Sequence, residues 1–120
     1  MAVSGTIALV TENPQLGQNC VFNVTTDGLK GKRFPRVYVE SKQNGVVVYG
    51  EIRELDGGEP HPTDGPCTFA PLGAGSSDWL NDTPPADAHS GASCIARLFY
   101  HDQHDAQITL AEIAFEATGL

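Results

Sequence analysis

Apolar and polar side chains alternate along several stretches of this chain with a period of two residues, and no stretch offers the sustained spacing of a long amphipathic helix. The clearest case covers residues 18–26, where Cys20, Phe22 and Val24 share one face and Asn19, Asn23 and Thr25 take the other. Alternation of this kind gives strands with one face on a core and one available to solvent. Thirteen glycines and eight prolines punctuate the 120 residues, which suits short strands joined by turns.

The other strands are read from the same signal. Ile7 and Leu9 share a face over residues 6–10, and Asn13-Pro14-Gln15-Leu16-Gly17 follows as a turn. Residues 36–41 alternate, Asn44-Gly45 is the strongest short hairpin signal available, and Val46 to Tyr49 runs back. Gly57, Gly58, Pro60 and Pro62 make residues 54–64 an excursion, and Thr68, Phe69 and Ala70 are read as a short strand. Residues 93–101 place Cys94, Ala96, Leu98 and Tyr100 on one face, and residues 107–115 return across a polar tip to close a terminal hairpin. About seven short strands in one domain over residues 1–120 predict an all-β, immunoglobulin-like antiparallel sandwich; a small barrel shares much of this pattern.

Charge narrows the partners. Seven Lys and Arg against fifteen Asp and Glu give a formal net charge of -8, which opposes attraction to phosphate backbones and anionic lipid, so neither nucleic acid nor membrane is expected. The longest apolar run, Val46 to Tyr49, is far too short to cross a bilayer, and Met1-Ala2-Val3 does not open a secretory signal. Synthesis in a cytoplasm is the expectation. Three cysteines, Cys20, Cys67 and Cys94, cannot all pair within one chain.

Several segments, taken in order, resemble a known family. They are Phe34-Pro35-Arg36-Val37-Tyr38-Val39, Gln43-Asn44-Gly45-Val46-Val47-Val48-Tyr49-Gly50, the stretch from Phe69 to Trp79, Ala96-Arg97-Leu98-Phe99-Tyr100, and the closing Phe115-Glu116-Ala117-Thr118-Gly119. Together they are similar to the immunoglobulin-like domains of virion proteins from phages of actinobacteria. The resemblance implies a structural or adhesive role on a phage particle, as capsid decoration or tail accessory, with capsid or tail proteins and host cell-surface glycans as partners. It implies no catalytic residues and no cofactor, and a protein made in the host cytoplasm and carried on the virion. Members of the family often carry a cysteine where Ser41 stands here, facing the position of Cys94, so this chain departs from that pattern. Cys20 and Cys94 both fall on predicted core faces, at positions bridged between sheets in antibody domains. Two arrangements stay open for them, an inter-sheet disulfide or two buried thiols.

The polar clusters are weighed against simpler roles. His101-Asp102-Gln103-His104-Asp105 has the composition of a metal site, but a hairpin tip is polar in any case and two imidazoles with carboxylates do not complete a zinc set. Glu51, Glu54, Asp56, Glu59, His61 and Asp64 read as solvated acids, because the interrupting glycines and prolines do not match a helix-flanked calcium loop. Ser76, Ser77 and Ser90 lack a nucleophile elbow, and Gly73-Ala74-Gly75 lacks the lysine of a phosphate loop. No catalytic, metal or cofactor residue is assigned. The binding candidates are the aromatics Trp79, Tyr38 and Tyr49, since aromatic anchors dominate interfaces and offer platforms to sugar rings. Core packing is the competing reading for each of the three, with a half-buried sheet face also open to the two tyrosines.

Overall fold

The computed structural model describes residues 3–28, 35–54, 65–69 and 90–119. Seven strands form two antiparallel sheets: β1 (Ser4–Leu9), β2 (Cys20–Asp27), β3 (Arg36–Gln43), β4 (Val46–Glu54), β5 (Gly65–Phe69), β6 (Ala92–His101) and β7 (Gln107–Ala117). One sheet has the order β1-β2-β5 and the other β4-β3-β6-β7. The chain therefore crosses between sheets after β2, β4 and β5, as in an immunoglobulin-like sandwich, with the fourth strand paired to the third.

The alternating stretches supply the inner faces. Cys20, Phe22 and Val24 on β2 are buried, as are Val37 and Val39 on β3 and Cys94, Ala96 and Leu98 on β6. Phe22 sits at the centre of an aromatic cluster, with its ring edge-on to Phe69 at 5.9 Å and to Phe115 at 5.6 Å. Burying aromatic and branched side chains from both sheets is the main favourable term holding the two layers together.

One contact closes the sandwich along the edge shared by β1 and β7. The Val10 and Thr11 amides still donate to the Val21 carbonyl of β2, and beyond them Gln15 forms a parallel bridge with Thr118. The Leu16 amide donates to the Thr118 carbonyl at 2.9 Å and the Thr118 amide to the Pro14 carbonyl at 2.9 Å. Asn13 and Gly17, at φ of 51° and 80°, turn the chain into and out of this crossing, and between them Leu16 is fully buried. A left-handed backbone is tolerated by Gly at no steric cost and by Asn more readily than by other residues.

The hairpin expected at Asn44-Gly45 is present, with φ of 52° and 78° at the two positions, the signature of a type I′ turn. Three sequence expectations need correction, and one feature of β6 is not anticipated by them. β1 starts at Ser4 and its ladder ends at Leu9, beyond which the Val10 and Thr11 amides share the Val21 carbonyl of β2 in place of regular strand pairing. β4 continues to Glu54 instead of stopping at Tyr49; its inner face carries Glu51 and Arg53, so charge hides the alternation. β5 starts at Gly65 and includes Pro66, which a strand at the edge of its sheet accommodates. On β6, Phe99 is fully buried although it follows Leu98, the two lying on opposite faces.

At Gly5 the two sheets approach so closely that a Cβ would lie 2.8 Å from Leu98 Cδ2, 3.0 Å from the Thr25 carbonyl oxygen and 3.2 Å from Leu110 Cδ1. The carbonyl belongs to the strand paired with β1, so it cannot retreat without breaking the ladder. Gly5→Val is expected to destabilise the fold by about 1–3 kcal/mol through overpacking, whereas Ala8→Val on the exposed face of β1 is expected to stay within about 0.5 kcal/mol of the parent. Chemical denaturation of the two variants side by side checks this; equal midpoints would refute it.

Candidate functional site

The register fixes which side chains meet on the outer face of the four-stranded sheet. Tyr38 on β3 lies opposite Ile52 of β4 on one side and Arg97 of β6 on the other, and Arg97 lies opposite Glu112 of β7. One step along, Arg36 lies between Glu54 and Phe99. Cross-strand neighbours on one face are close enough to pack as a unit.

Arg97 organises this face. Its guanidinium lies over the Phe99 ring at 4.8 Å and the Tyr38 ring at 5.8 Å. Its nitrogens donate to Gln107 Oε1 at 2.9 Å and Thr109 Oγ1 at 3.2 Å. Phe99 is also edge-on to His101 at 5.6 Å and stands apart from the inter-sheet core cluster. A planar, delocalised cation suits this stacking in a way that lysine would not.

Tyr38 is half-buried, and its hydroxyl donates to Glu40 Oε2 at 2.6 Å. Burial, reinforced by the Glu40 acceptor and its charge, pushes the phenol up to about 12, so it remains a donor at any physiological pH. Glu40 also holds the Lys42 ammonium at 3.3 Å, and Arg36 reaches Glu54 at 3.5 Å. Ile52, beside Tyr38, remains 51% exposed. The result is an aromatic and cationic patch whose side chains are already fixed by one another, which lowers the ordering cost of binding.

A polar cleft of about 220 Å³ opens at the other end of this face, where Lys42, Gln43, Asn44, Ser90, Ser93 and Glu116 converge. Ser93 Oγ donates to Glu116 at 3.2 Å, and Gln43 Nε2 donates to the Ser90 carbonyl at 3.3 Å. The cleft presents hydroxyl, amide, ammonium and carboxylate groups, a set that matches the hydroxyls of a small polar ligand.

Of the two aromatic candidates among the described residues, Tyr38 lies on this face and Tyr49 does not. Tyr49 is fully buried on the inner side of β4, with its hydroxyl on the Glu51 carboxylate, and offers no surface. Its sequence neighbours gave no polar residue to set the face, and a bulge between Tyr49 and Val47 turns the ring inward. Trp79 lies outside the described residues, as do Asp56, Glu59, His61, Asp64, Ser76 and Ser77. Sequence reading missed the stack of Arg97 on Phe99 and Tyr38; the one available signal was that Arg97 falls on the face opposite Cys94 and Leu98.

The hairpin tip uses its polar groups locally. Asp102 Oδ1 accepts from the backbone amides of His104 at 2.8 Å and Ala106 at 3.0 Å, and these bonds hold its carboxyl below the usual carboxylate range. His101 Nδ1 lies 3.3 Å from the Asp105 carboxylate. Among the described residues no three His, Cys, Asp or Glu side chains converge in a metal-binding arrangement.

Cys20, Cys67 and Cys94 are buried free thiols in this structure. Burial, with the nearby Cys94 adding to it and a Thr11 hydrogen bond opposing it, pushes the Cys20 thiol up to about 11. Burial likewise raises Cys94, against a hydrogen bond from Ser41, whose Oγ lies 3.2 Å from the sulfur. The thiolate is the reactive form, so a maleimide is expected to leave Cys20 and Cys94 unmodified in the native protein at neutral pH and to label them after denaturation. Rapid native labelling of either would contradict this burial. Against this geometry, neither a scan of protein-family models nor a search of curated proteins finds a match for the chain.

Proposed function

We propose that this chain is a non-enzymatic immunoglobulin-like accessory domain of an actinobacteriophage particle, attached to the capsid or tail, where it serves particle stability or loose adhesion to the host surface. The observation that carries the reading is the preformed patch of Tyr38, Arg97 and Ile52 on the outer sheet face. Tyrosine and arginine are the side chains most enriched at the energetic centres of protein interfaces, and a rigid sheet face presents them without a loop having to order. The ordered resemblance of five sequence segments to phage virion domains supports the same reading and supplies the particle as the setting. Display of many copies on a symmetric particle turns weak single contacts into useful avidity.

The test is co-sedimentation of the purified domain with heads and tails of the parent phage. Arg97→Glu and Tyr38→Ala are each expected to weaken attachment at least about tenfold while keeping the parent circular dichroism spectrum. Full attachment by both folded variants would refute this face as the contact.

The polar cleft beside Lys42, Ser93 and Glu116 favours a second reading, a carbohydrate-binding module. It expects saturable calorimetric heat on titration with host cell-wall polysaccharide, and loss of binding in Glu116→Ala. A polysaccharide titration that releases or absorbs no heat at several temperatures would exclude it.

A further inference from the structure

Among the described residues β4 has a neighbour on one side only, as the end strand of its sheet. It also carries the two most exposed large apolar side chains among the described residues, Val46 at 53% and Ile52 at 51%. On its inner row, Glu51 and Arg53 form an ion pair at 2.8 Å. The buried Arg53 Nε has no hydrogen-bond acceptor among the described residues. Inward charges on an edge strand ordinarily deter added strands, because an uncomplementary partner would desolvate them without compensation. Such an edge admits a partner that brings the opposite charges in the opposite order.

β4 itself meets that requirement when reversed. Glu51 and Arg53 stand symmetrically about Ile52, so an antiparallel pair of β4 strands with its two-fold axis at Ile52 sets Glu51 of each copy opposite Arg53 of the other. The same register packs Ile52 against Ile52 on the outer face and Gly50 against Glu54. An axis at Glu51 would oppose like charges, and one between residues would turn inner rows against outer rows, which the pleat forbids. We infer that this domain self-associates through β4 in the Ile52 register, joining two four-stranded sheets into one continuous sheet.

The partner is a second copy of this chain, chosen by charge complementarity and isologous by symmetry. The pairing spans few residues, so association is weak and reversible, in keeping with small interfaces. It places two Tyr38–Arg97 patches on the same side of one sheet. The inference stands independently of the particle reading, since it concerns only how copies meet.

Ile52→Cys places two thiols on the axis at the spacing of directly opposed strand residues, while Val46→Cys offers a similarly exposed thiol on the same strand in the wrong register. Under mild oxidation with oxidised glutathione, the Ile52→Cys protein is expected to form covalent dimer at least about tenfold faster than the Val46→Cys protein. In the Ile52→Cys background, Arg53→Glu is expected to slow cross-linking, and mixing it with Glu51→Arg to restore it as a heterodimer. Equal rates for Ile52→Cys and Val46→Cys would overturn the inference, and so would a parent protein that sediments strictly as a 12.7 kDa monomer at millimolar concentration.

Discussion

Phe22→Ala is expected to cost about 3–5 kcal/mol, the range for truncating a fully buried aromatic. Phe22 is wholly inaccessible to solvent and belongs to the central core cluster. Its ring meets Phe69 of the same sheet and Phe115 of the opposite one in edge-on contacts. Truncation removes the transfer free energy of the ring, leaves a cavity that rigid β-ladders cannot collapse, and forfeits aromatic contacts on both sides. Domains of this kind are stable by only about 5–15 kcal/mol, so the variant would lose a large share of its stability. Urea unfolding followed by intrinsic fluorescence measures it; a loss under about 1 kcal/mol would mean that Phe22 does not occupy the centre of this core.

Leu16→Ala is expected to cost about 2–5 kcal/mol, although residue 16 belongs to no strand. Leu16 is fully buried at the point where the chain passes from β1 toward β7, held by backbone hydrogen bonds to Thr118. The cavity would open the seam between the sheets at one edge. Its signature is therefore local as well as global: hydrogen exchange at the Leu16 and Thr118 amides should accelerate beyond that of the β2–β3 core. Exchange that stays uniform across the molecule would argue that the crossing does not seal this edge.

How far the sequence revealed this molecule depends on whether each feature is local. β2, β3 and β6 were legible because their inner faces are apolar at alternate positions, and the β3–β4 turn because Asn44-Gly45 matches the left-handed backbone that a tight hairpin requires. The continuation of β4 was hidden by Glu51 and Arg53, whose inward placement reverses the expected pattern. The crossing at Pro14, Gln15 and Leu16 has the sequence of a simple turn, because its partner, Thr118, lies about a hundred residues away in the chain and leaves no local trace. The outer-face patch needed the register: Tyr38, Arg97 and Phe99 come together only once β3 and β6 are aligned residue by residue. The residue types were visible, but their convergence was not.

The cysteines show the same division. The inner-face placement of Cys20 and Cys94 is legible from alternation, whereas Cys67, on no strand read from the sequence, is found buried as well. The Ser41–Cys94 contact follows from the pairing of β3 with β6, which sets the two residues directly opposite each other. A hydroxyl there satisfies its own hydrogen-bonding need through the sulfur, which keeps a buried polar side chain from being left unpaired.

The most direct test of the proposed virion role is cryo-electron microscopy of intact particles of the actinobacteriophage proposed to carry this domain. The account predicts ordered density for a seven-strand sandwich at repeated positions on the head or tail, with the Tyr38–Arg97 face against a virion protein. Purified particles that lack the protein altogether would contradict it.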